Sequence, residues 1–217
     1  MTRKIAKYLL LVIIIGLLAY NSVYIRKLSD VQAKEPVAFN ATSFAEQLWV
    51  LKLPARLDSA ITLDALQAAL KANASLAFDT YFNTMSIGNI RYGLVKVSGK
   101  VLSVNEDDII LLAGVSGNTQ TIKIATEYIY GNAIRDASRL VDIRNFVNTT
   151  DLNNISEALN KKVRTTVLPA FKSAVKKADS ISCTGAIELN LAHIERSRNY
   201  SLNDLEIIPV QCKIIQR

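Results

Sequence analysis

From Ile90 onward the apolar residues change period, and this limits the fold more than any other feature of the chain. Tyr92, Leu94, Val95, Val97, Val101, Leu102 and Val104 predict one long strand, with Gly99 a candidate bulge. A turn at Asn105–Asp108 leads into a second strand, Ile109–Leu112. A turn at Gly117-Asn118 leads into a third, Thr119–Ile124. A helix is expected over Leu152–Leu168, capped by Thr150 or Asp151, with Ile155, Leu159, Val163 and Val167 facing inward and Pro169 ending or bending it. Ser180–Leu189 and Leu205–Ile215 read as two closing strands, joined by a polar loop with His193, Arg196 and Arg198. The fold class is α+β. Three strands, a helix and two strands is the element order of an OB-like five-stranded barrel with a helix between the third and fourth strands. An α+β sandwich shares that order.

Before Ile90 the pattern is helical. Ser43 and Glu46 form a capping box, with Phe44, Leu48 and Leu51 at helical spacing behind it and Pro54 interrupting. Thr62 caps a second helix whose apolar face is Leu63, Leu66, Ala69 and Leu70. Residues 74–89 hold no clear period, and Phe78, Tyr81 and Phe82 read as packing residues. Residues 40–217 are thus one domain, with a helical part at 40–89 and an OB-like part at 90–217. Residues 28–39, LSDVQAKEPVAF, are polar, contain Pro36 and read as a tether.

Residues 1–27 hold the apolar run Tyr8–Tyr20, flanked by Arg3, Lys4 and Lys7 before it and Arg26 and Lys27 after it. The expectation is an uncleaved signal anchor, a single transmembrane helix with its basic leading end in the cytoplasm. The domain then lies in the periplasm or outside the cell, attached to the inner or cytoplasmic membrane. A cleaved secretory signal is the competing reading, because the strictly apolar part is only 13 residues long. No cysteine lies near the segment, which excludes a lipid anchor on a processed cysteine.

The net charge of +7 suggests nucleic acid until it is divided. Residues 1–34 hold six basic residues and one acid; residues 35–217 hold 20 and 18, so the body carries only +2. A nucleic-acid-binding OB domain needs a basic groove with aromatics for stacking, so nucleic acid is not the expected partner. The sequence contains no nucleophile elbow, phosphate loop, dinucleotide fingerprint or paired-histidine metal motif, and no cofactor or metal is implied. His193 and Asp107-Asp108 read as surface residues.

The informative polar cluster is Gly131, Asn132, Arg135 and Asp136, followed by Arg139, Asn145 and Asn148, between the third strand and the long helix. It can be a hydrogen-bond network fixing the crossover, or a surface for a ligand or partner. The run YGNAIRDASRLVDIRNFVNTTDLNNISEALNKKV, with KVSGKVLSVNEDDIILLAGV and with Trp49, Lys52 and Pro54 in LWVLKLP, resembles a family of predicted periplasmic lipoproteins of unknown function. The likeness covers roughly residues 37–212. It maps the family motif onto Gly131, Arg135, Asp136, Phe146, Asn148 and Asn160. Members are often encoded beside sugar ABC transporters, so the resemblance implies a transport-accessory setting. The chain departs from the family in lacking a lipid-accepting cysteine, in a shorter turn at Asn105–Asp108, and in having Cys183 and Cys212.

The expected function is a membrane-anchored, outward-facing accessory or binding protein without catalytic activity, whose partner is an ABC transporter component or a small polar solute. An exported enzyme using Arg135 and Asp136 is the alternative. The candidate binding or structural residues are Gly131, Asn132, Arg135, Asp136, Asn148 and Asn160. Cys183 and Cys212 lie in neighbouring strands and can form a disulfide in an oxidising compartment, or remain two buried thiols.

Overall fold

A computed structural model describes residues 2–22, 39–115 and 117–216. The chain divides into two compact units, Met1–Phe39 and Asn40–Arg217. The expected tether falls, but for Phe39, outside the described residues.

In the first unit, α1 (Thr2–Ser22) is a helix whose apolar side chains, Leu9 to Leu18 among them, are exposed. Among the described residues no helix is long and apolar enough to cross a membrane, which corrects the expected transmembrane anchor. The physical reason is length. The 13-residue apolar run at 1.5 Å per residue covers about 20 Å, against a hydrocarbon core of about 30 Å.

The second unit is built on a long strand, β3 (Ile90–Val104). β4 (Asp108–Val115), β5 (Asn118–Ala125), β6 (Ser180–Asn190) and β7 (Leu205–Gln216) complete a ring with it, in the hydrogen-bonded order β3–β4–β5–β7–β6 and back to β3. Neighbours are antiparallel except β5 and β7, which run parallel through Ile122–Ile124 and Leu205–Ile207. Gly99 is not the bulge, since the register shift lies between Val101 and Ser103. Gly99 is where β4 crosses closely, and a Cβ there would stand 2.6 Å from the Leu112 carbonyl oxygen.

Alternation sends successive residues of a strand to opposite faces of the ring. Val95, Val97, Ile109, Leu111, Ile122, Ile124, Ile181, Cys183 and Ile207 turn inward into one apolar cluster. Each such side chain, fully buried, contributes about 1.5–3 kcal/mol. Leu94, Ala186 and Val210 turn outward into a second cluster, under a layer of helices. That layer comprises α2 (Ala41–Gln47), α3 (Leu53–Asp58), α6 (Ala133–Ser138) and α7 (Thr149–Lys162). The inner cluster is closed by α4 (Leu63–Ala72), α5 (Ala74–Tyr81) and α8 (Leu168–Ala174), through Leu66, Phe78 and Phe171. The crossover α6–α8 lies between β5 and β6 in sequence.

Two helices change pitch before a Leu-Pro pair. Leu48–Lys52 is a π turn between α2 and α3, and Val163–Val167 is a π turn between α7 and α8. Proline has no N–H, and its ring clashes with the carbonyl four residues back; a widened turn relieves both. Buried leucines therefore fall at Leu48 and Leu53, and Leu51, expected inside, is 73% exposed. At the second π turn the buried residue is Leu168, the first of α8, with Val167 before it only half-buried.

Other departures are local. The cap of α2 is Asn40, whose Oδ1 accepts from Ser43 N (2.9 Å), so Ser43 is inside the helix and no capping box forms on it. The helical part also holds two short strands, β1 (Ile61–Thr62) and β2 (Phe82–Asn83), both paired with β3; two residues carry no readable period. The expected loop at His193 is a helix, α9 (Leu191–Ser197), capped by Asn190; His193 is exposed on it.

Candidate functional site

The chain leaves β5 through Tyr128–Asn132 and turns at Gly131, whose φ of +77° is a conformation that favours glycine. The short helix α6 then lays Arg135 and Asp136 against the outer face of the ring, where both are buried, at 4% and 0% exposure. Arg135 Nε donates to Asp136 Oδ1 (2.7 Å), and Arg135 NH1 donates to the Leu152 carbonyl of α7 (3.1 Å). Asp136 Oδ2 accepts from Met85 N (3.4 Å), and Asn83 Nδ2 donates to the Asp136 carbonyl (3.0 Å). Arg135 and Asp136 thus tie α6 to α7 and to Met85 through their side chains, and to β2 through the Asp136 carbonyl.

Further bonds extend the same clamp. Asn160 Nδ2 donates to the Gly131 carbonyl (2.9 Å), and Ser156 Oγ donates to Asn132 Oδ1 (3.3 Å), so α7 holds the turn from one side. Arg56 Nε donates to the Ser138 carbonyl (2.8 Å), and Arg139 donates to the Phe82 carbonyl from the left-handed cap of α6. Burial, then the charge of Arg56, pulls the Arg139 guanidinium below its ordinary value.

Gly131, Asn132, Arg135, Asp136 and Asn160 are therefore brought together. Asn148 acts apart, capping α7 through Oδ1, which accepts from Asp151 N (2.9 Å). Phe146 packs edge-on against Phe44, with ring centres 5.8 Å apart. Arg139, read from the sequence as part of the polar cluster, belongs to the clamp, and so does Arg56, to which sequence reasoning gave no role. Their partners are backbone carbonyls, which leave no trace in a sequence.

Beside the clamp lies an open cleft of about 330 Å³, lined by Tyr92, Tyr130, Gly131, Asn132, Glu188 and Glu206, with Ala133, Ala186 and Ile208 at its base. Strand register explains the grouping. Tyr92 pairs across to Glu188, and Ala186 pairs across to Ile208, each two residues along its strand from Glu188 and Glu206 respectively. Tyr130 is 62% exposed, and the Arg164 guanidinium sits 5.3 Å from its ring centre while also donating to the Ile129 carbonyl and to Glu157. Burial and the adjoining Glu188, both by charge and by hydrogen bond, push the Tyr92 hydroxyl up to about 12. Tyr92 therefore stays protonated and donates at neutral pH.

The cleft is rich in acceptors: two carboxylates and the Asn132 amide, with two phenol faces beside them. It suits a small molecule that brings hydroxyl or ammonium donors, and it repels anions. The buried Arg135–Asp136 pair has no open face toward it. Among the described residues no group of three or more His, Cys, Asp or Glu is placed to hold a metal ion. Tyr92, Glu188 and Glu206 were missed from sequence, because only strand register places them together.

Cys183 and Cys212 stand opposite each other in the β6–β7 ladder and form a disulfide, with Cα atoms 4.1 Å apart. They are the two cysteines of the sequence, and both are paired.

A crystal structure of an OB-fold protein from Thermotoga maritima superposes with a TM-score of 0.66 at 21% sequence identity, covering 82% of this chain and 99% of that one. At this identity the likeness speaks for the fold alone. No curated protein matches the sequence. A family model described as "Predicted periplasmic lipoprotein (DUF2291)" matches residues 13–213. From inside α1 to the last turns of β7, the chain belongs to this predicted periplasmic lipoprotein family.

Proposed function

We propose that the protein is an exported, membrane-associated binding component without chemistry of its own, which holds a small donor-bearing polar solute in the Tyr92–Glu188–Glu206 cleft and presents it to a membrane transport assembly. The observation that carries the reading is the acceptor-rich lining of the cleft beside the Gly131–Asn132 turn. The family description and the Cys183–Cys212 disulfide support an oxidising, exported setting. The 13-residue apolar run within α1 matches the core of a signal segment, which supports export. A transporter of the ABC type is the partner that the family resemblance suggests.

The test is thermal unfolding of the purified protein against three panels: neutral polyols and sugars, ammonium-bearing solutes, and phosphate-bearing anions. The expected result is a raised midpoint with one of the first two panels, none with the third, and loss of the rise in the Glu188→Gln/Glu206→Gln double variant. No rise with any donor-bearing solute, together with no transporter subunit recovered on pull-down from solubilised membranes, would sink the reading. An alternative enzyme reading requires turnover that Arg135→Lys abolishes in a folded protein.

A further inference from the structure

The two edges of β7 are treated differently. One edge pairs with β6 from Ile208 to Gln216, while the other meets β5 only at Leu205, Glu206 and Ile207. Among the described residues no strand lies along that second edge beyond Ile207, and no backbone hydrogen bond from a turn, loop or cap reaches it. An open edge is a row of unpaired N–H and C=O groups, which is a template for another chain.

This edge opens into a groove of about 660 Å³. Val210, Gln211, Cys212, Lys213 and Ile214 line it consecutively. A strand seen by its face shows alternate residues, whereas a strand seen by its edge shows successive ones. One wall is Trp49, Leu53 and Leu57 from the π turn and α3; the other is Val167, Ala170 and Phe171 from the π turn and α8.

We propose that the groove receives an extended segment of a partner protein, which adds to the free edge of β7 as one more strand. Alternating backbone donors and acceptors are supplied in this geometry by a polypeptide. Helices stand on both sides, so one strand fits where the edge of a second folded copy would meet the walls. Apolar residues predominate on both walls, beside Asp58 and Thr166, so the incoming strand carries mainly apolar side chains on both faces. Asp58 and Lys213 offer one charge of each sign, and the segment is not chosen by net charge. The inference stands apart from the solute cleft, since it uses other residues.

The test is amide hydrogen exchange of the full protein with a capped heptapeptide of alternating valine and leucine between terminal lysines. Alternate amides within Val210–Ile214 should exchange at least about ten-fold more slowly when the peptide is present. N-methylation of the peptide's edge-facing amides should abolish the effect. So should Ala170→Trp, which fills the groove from an exposed position and leaves the unfolding midpoint unchanged. No slowing, equal slowing with the N-methylated peptide, or equal slowing in the Ala170→Trp protein would overturn the proposal. Slowing without peptide that grows with protein concentration would assign the edge to a second copy instead.

Discussion

Inside the ring, Ile109, Leu111, Ile122, Ile124 and Ile181 are fully buried in an apolar cluster, and their backbones are paired in the strand ladder. Outside it, the helical layer buries Arg135, Asp136, Ser138, Ser156 and Asn160 among apolar neighbours. The ladder fixes register by itself, so the interior needs only bulk. Short helices such as α6 can slide or rotate on a sheet, and directional bonds to named carbonyls stop them. A buried ion pair is weak evidence for net stability, and removing one partner is costly. The outer polar set thus contributes position more than free energy.

The sharpest way to break this contrast is Asp136→Ala, which leaves a buried guanidinium uncompensated. A loss of about 3–5 kcal/mol is expected in chemical denaturation, while the double replacement Arg135→Met/Asp136→Leu recovers much of it. If the double variant is as unstable as the single one, the pair supplies stability after all. Reduction of Cys183–Cys212 comes next. Its 29-residue separation corresponds to about 3–4 kcal/mol on the chain-entropy account, read as a lower denaturation midpoint under reductant. Asn160→Leu orphans the Gly131 carbonyl and should cost about 1–3 kcal/mol, with exchange quickening in the 129–133 turn before the ring strands. Uniform quickening would erase the distinction between the layers.

The smallest effect concerns Tyr92. Its folded value lies near 12, above the ordinary phenol value of 10, so its contribution is whole below pH 10 and is lost as pH rises toward 12. A Glu188→Gln variant should move the Tyr92 titration downward, seen as the difference in phenolate absorbance between that protein and its Tyr92→Phe counterpart. An unmoved titration would detach Tyr92 from the cleft carboxylates.

Long periods were legible in the sequence and short elements were not. β3 to β7 are apolar-rich runs within strands of eight or more residues, which exposed their order, and the long helix showed its stripe through Ile155, Leu159 and Val163. β1, β2 and α9 are too brief to display a period. The Gly131–Asp136 run was visible as a polar island, yet its partners Asn83, Met85 and Leu152 come from other segments and largely offer backbone atoms. Leu51 was misplaced because a helical stripe extrapolates a constant 3.6 residues per turn, which the π turn at Leu48–Lys52 breaks.

The other π turn, Val163–Val167, decides how the long crossover is shared. Leu152, Ile155, Leu159, Val163 and Leu168 serve the outer cluster, and Phe171, a few residues later on the same rod, serves the inner one. The Val163–Val167 turn acts as a phase shifter, holding one more residue than an α-turn would and re-aiming everything after it by roughly 100°. Deleting Thr165, which is exposed, would take out the extra residue and swing Phe171 away from the ring mouth, while setting Pro169 back against the carbonyl four residues before it.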